Sequence, residues 1–171
     1  MPKFDRVRLI FGLYLLLLIA VAELIVGHFK LPAWPAFMAM IFFFVEHMDI
    51  KKVSHIVVGL TFGIGLILLA TPIITALAPI MGVELARLTF VLVLVYAIVA
   101  FGEMAPMFFN NYAFMSLTVT GLAVQLPNPN PFLWMAMAAV GGGLLIAGVV
   151  GIGKLMQATQ SSAPQPNPSV G

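Results

Sequence analysis

The chain has 171 residues, 62% of them hydrophobic and only 8% charged, whereas a soluble domain carries roughly 25% charged and 45–50% apolar residues. So few polar side chains cannot cover a globule in water, and the composition reads as an integral membrane protein with room for roughly six or seven helical spans and no soluble catalytic domain. Eight basic residues against six acidic ones make no phosphate-binding surface, which excludes nucleic acid as a partner, and the lack of cysteine excludes disulfides, thiolate metal sites and cysteine nucleophiles.

The first apolar run, residues 7–29, is interrupted only by Glu23 and His28 and reaches about 34 Å as a helix, a full span. Lys3, Arg6 and Arg8 with Ala20-Val21-Ala22 also resemble a signal peptide and its cleavage site. The run continues past that point through Leu24, Ile25 and Val26, which favours an uncleaved span. A second, short run covers Pro35 to Met48 and is introduced by Leu31-Pro32-Ala33-Trp34-Pro35. The third runs from Val53 to Pro79, with Gly59, Gly63 and Gly65 early and a kink predicted at Pro72. The fourth extends from Ala86 to about Met104. The fifth starts after Pro106 and stops near Gln125, because the Pro127-Asn128-Pro129-Asn130-Pro131 run cannot continue a helix. The sixth covers about Phe132 to Met156. The last segment, 157–171, is Gln-, Ser-, Pro- and Asn-rich and reads as a disordered cytoplasmic tail behind a transmembrane domain over 1–156.

Six spans place both termini on one side. With the N-terminus cytoplasmic, Lys3, Arg6, Arg8, Lys51, Lys52 and Lys154 lie inside and only Lys30 and Arg87 outside, so the basic residues predict N-in, C-in. Trp34 and Trp134 then fall at the outer interface.

An internal repeat is also legible. Ala36-Phe37-Met38-Ala39-Met40 returns as Ala113-Phe114-Met115-Ser116-Leu117 after 77 residues, and Gly59 matches Gly141 at an offset of 82. The chain therefore reads as an all-α protein of two three-helix halves, about 7–79 and 86–156. Three being odd, the second half enters from the opposite face as an inverted repeat. Chance likeness between Phe- and Met-rich helices is the competing account. The glycines of the third and sixth spans predict close backbone approach, either at the centre of the bundle or in a homo-oligomer contact.

Ionisable groups at membrane depth are functional candidates because burying their charge is costly. Glu23 and Glu103 fall at similar positions in the two halves and are candidate gating or proton-binding groups, with hydration at the headgroup level as the alternative. On the fifth helix Tyr112, Ser116 and Thr120 recur every four residues, and Asn111, Thr118 and Gln125 every seven. These residues either line a solute path or hydrogen-bond neighbouring helices. Asn110, Asn111, Tyr112, Ser116 and Thr120 are the expected path residues, and Phe37 and Phe43 a possible hydrophobic constriction. Short second and fifth spans would also present recessed helix starts able to meet a small anion. The Glu46-His47-Met48-Asp49 segment with Lys51, Lys52 and His55 has no metal-ligand spacing and reads as a solvated loop. No phosphate loop, nucleophile elbow or zinc-protease motif occurs, so neither an enzyme nor a cofactor or metal is expected.

The Trp34-Pro35-Ala36-Phe37 start of a short second helix, the Lys51-Lys52 turn and the glycine-rich third helix together resemble small six-helix bacterial inner-membrane proteins of unassigned activity. That resemblance implies fold and location over residues 7 to about 156, but no substrate. The resulting expectation is a channel or secondary transporter for a small polar or weakly acidic solute, with a non-transporting scaffold or accessory subunit as the alternative.

Overall fold

A computed structural model describes residues 6–161 of the chain, with side chains through Thr159. Every regular element among them is helical: α1 (Arg6–His28), α2 (Trp34–Val45), α3 (Val53–Leu66), α4 (Ala70–Met81), α5 (Val83–Phe101), α6 (Asn111–Ala123), α7 (Pro131–Ala136) and α8 (Gly142–Ser161). Two pairs are continuous rods. A short 3₁₀ turn at Ile50–Lys52 leads into α3, and another at Ile67–Leu69 joins α3 to α4, giving a helical stretch over Ile50–Met81. A π-turn at Met137–Gly141 joins α7 to α8. Four stretches, Arg6–His28, Ile50–Met81, Val83–Phe101 and Pro131–Thr159, are long and apolar enough to cross a membrane. The tail expected from residue 157 is helical as far as Ser161, and 162–171 lie outside the described residues.

Local chemistry explains the breaks. Pro72 offers no N–H to the Leu68 carbonyl and its ring crowds it, so the preceding turn tightens to 3₁₀ at Ile67–Leu69. Gly82, at φ +84°, ends α4 in a conformation that a Cβ disfavours and turns the chain directly into α5. Asp49 accepts the Lys51 N–H at 2.9 Å and so opens the 3₁₀ turn before α3. The 102–110 turn is held by rings, with Phe62 of α3 edge-on to Phe108 (5.4 Å) and Phe109 (5.2 Å).

Packing is built on small residues. Apolar area gains little between helices in lipid, so close van der Waals approach has to hold them. One seam joins α3 to α6, where a Cβ at Gly63 would stand 2.8 Å from Ala113 Cα and one at Gly59 would press on the Asn110 amide, 2.8 Å from its Cγ. The other joins α2 to the π-turn and α8, where Gly141 and Gly142 meet Ala36 and Ala39. The wide π-turn places two successive glycines toward α2. α1 lies on α8, with Leu18 against Gly148, and α5 lies on α4. The core between the seams contains Phe43, Ile56, Leu60 and Ile64, all wholly buried. Trp34 and Trp134 meet edge-on at 5.5 Å and mark one end of the bundle. The Lys51–Lys52 turn marks the other.

Candidate functional site

The residues expected to line a path lie along the α3–α6 seam. Asn110 caps α6, its Oδ1 accepting the Ala113 N–H at 3.0 Å. Its Nδ2 donates to the carbonyls of Pro106 (3.0 Å) and Met107 (3.1 Å), and across the seam to that of His55 on α3 (3.3 Å). Asn110 therefore ties three segments together and faces no channel. Tyr112 lies beside the Glu46 side chain, and its ring lies 5.3 Å from Phe42, so it joins the end of α2 to the start of α6. Ser116 and Thr120 are 0% exposed. Their hydroxyls donate to their own helix, Ser116 to the Ala113 carbonyl (3.1 Å) and Thr120 to that of Ser116 (2.6 Å). Ser116 closes directly against Gly63 of α3. Of the expected path residues, Asn111 alone is exposed, at the lysine end.

The other candidates are dispersed. Glu23 is exposed, at the edge of the stripe (Phe11, Leu15, Leu18, Ile19, Ala22) that α1 packs on the core. Glu103 is exposed too, but α5 stops at Phe101, so it stands in a turn and shares no helix face with Glu23. Phe43 is wholly buried in the core and Phe37 packs at the core's edge.

A different site emerges from the fold. A cleft of about 780 Å³ opens where α4 and α5 diverge from the end of α6 and the turn into α7. Arg87 of α5, Thr71 and Thr75 of α4, and Gln125 after α6 supply its polar groups; Ile67, Leu68, Ile74, Phe90 and Val91 line much of the rest. Thr71 and Thr75 share a face because they are one helical turn apart. Among the described residues Arg87 has no ion pair, and the side chains of Thr71, Thr75 and Gln125 make no hydrogen bond. Sequence reading placed Arg87 only as an outside charge. The available signal was a lone cation near a span boundary, with two threonines four residues apart in the preceding span.

Fold and cleft together define an all-helical protein whose long apolar helices suit a bilayer. No protein-family model, curated protein or solved structure matches the chain.

Proposed function

We propose that the chain is a six-span inner-membrane protein with both termini cytoplasmic, built as two inverted three-helix units, and that it serves as a non-conducting scaffold or accessory subunit of a membrane complex. The observation that carries the scaffold reading is the sealed seam: Ser116 and Thr120 are wholly buried and their hydroxyls are satisfied inside α6. A water-filled path along that face would require them to be wet.

The reciprocal packing supports two related halves. The short helix of each half, α2 or α6, packs on the glycine face of the other half's third rod, and the first helix of each half packs on that same rod. The matched positions Ala36 with Ala39 and Ala113 with Ser116 make the corresponding contacts. The glycines at 59, 63, 141, 142 and 148 are filled within the chain, whereas Gly143 and Gly151 face open space and are the surface through which copies or partner helices would meet.

The reciprocal halves also favour a second reading, transport of a small polar or weakly acidic solute by movement of one half against the other, as inverted repeats commonly do. Flux into proteoliposomes separates the two. The scaffold reading expects no saturable uptake of urea, short carboxylates, amines or inorganic ions. Saturable uptake of any of these overturns it in favour of transport.

A further inference from the structure

We propose that the cleft between α4, α5 and the α6–α7 turn is a seat for an anionic phospholipid, its phosphodiester against Arg87 and its acyl chain along the apolar floor. This goes beyond the scaffold reading and rests only on α4 and α5 lying in the bilayer.

Three observations converge on it. First, the polar groups of the cleft are unused. Ser116, Thr118, Thr120 and Thr159 each bond back to a carbonyl three or four residues earlier, whereas Thr89 turns to the Met81 sulfur and the Thr61 hydroxyl, outside the cleft, is buried without a partner. Thr71 and Thr75 make no such bond, and Arg87 has no carboxylate although Glu84 precedes it by one turn. All three side chains are exposed at the cleft and so are open to a ligand, and an unmet cation beside lipid is costly.

Second, the cleft is graded along the helix axes. Arg87 lies four residues into α5, about 6 Å from its start, while Ile67 and Leu68 lie about 20 Å from the end of α4 at 1.5 Å per residue. The charge therefore lies toward the α4–α5 turn and much of the apolar lining toward the start of α4, so the cleft offers one charged and one apolar end, as an amphipathic ligand requires.

Third, size and continuity fit. The volume of about 780 Å³ falls in the range of about 300–1,000 Å³ that holds ligands far larger than a bare ion. Val91, in the wall, is 51% exposed and continues onto the exposed Leu88 and Leu92 of α5, so the cleft joins the surface that lipid covers. A planar guanidinium suits a phosphodiester because it donates two parallel N–H bonds to it.

Native mass spectrometry of the full chain released from nanodiscs of equal phosphatidylglycerol and phosphatidylcholine tests the proposal. The wild type is expected to retain phosphatidylglycerol about tenfold over phosphatidylcholine, a difference of about 1.4 kcal/mol. Arg87→Gln should abolish that preference, and Thr71→Val with Thr75→Val should weaken it. Equal retention of both lipids by the wild type overturns the proposal without reference to any variant. So does an undiminished preference in a folded Arg87→Gln protein. A thermal-shift arm in detergent distinguishes the source of the anion: phosphatidylglycerol should raise Tm, whereas an equal rise with inorganic phosphate or acetate would assign the cleft to a soluble anion and overturn the lipid assignment.

Discussion

Gly63 and Ser116 meet where the backbones of α3 and α6 come closest, and the two positions respond differently to change. A methyl at Gly63 would press on the Ala113 backbone, including its Cα at 2.8 Å, and backbone cannot rotate away as a side-chain tip can. Gly63→Ala should therefore separate the helices and destabilise the protein by roughly 1–3 kcal/mol, the usual cost of overpacking, read as a lower Tm in detergent. Ser116→Ala removes a hydroxyl that bonds only within its own turn, takes its acceptor's competitor away and leaves a well-filled site. Its effect should stay below about 1 kcal/mol. A large loss of stability in Ser116→Ala, with little in Gly63→Ala, would mean that the hydroxyl rather than the close approach holds the seam.

Among the elements, α6 shows most clearly what sequence can and cannot disclose. Its start depends on Asn110, which caps the helix and also reaches the His55 carbonyl on α3. Asn110→Ala should cost about 0.5–2 kcal/mol from the cap alone, whereas Asn110→Asp keeps the acceptor for Ala113 N–H and loses the cross-seam donor, so chemical denaturation should rank it between wild type and alanine. Helix positions, the break before Pro72 and the role of glycine in packing were legible because each depends on neighbours in the chain. The second and fifth spans are shorter than their apolar runs, since the chain turns through positive φ at His47 and Met48 after α2 and α6 begins only at the Asn110 cap. The direction of the hydroxyl stripe was not legible. Periodicity puts Tyr112, Ser116 and Thr120 on one face, but its burial depends on Gly63 of α3 and Phe42 of α2, which lie far away in the chain. Nor was the cleft, whose polar groups come from α4, α5 and the segment after α6 and are up to 54 residues apart between Thr71 and Gln125.

For the whole molecule, the alternation of rods across a bilayer is open to direct measurement because the chain has no cysteine of its own. Single substitutions at Phe29 and Met48, both well exposed and in turns at opposite ends of α2, change no charge and so leave the basic-residue bias intact. An impermeant maleimide should label Phe29→Cys on intact cells and Met48→Cys only after permeabilisation. The reverse pattern would invert the orientation, and labelling of both from one side would remove the crossing by α2.

The position of α1 has a consequence for biogenesis. It holds no buried residue of its own, and the element it chiefly rests on is α8, at the other end of the chain. Because α8 follows α1 by more than a hundred residues, α1 therefore stays without its chief partner until α8 has been made. Docking of α1 then depends on α8, and nascent chains halted before residue 142 should expose α1 to quality-control proteases that the full chain resists.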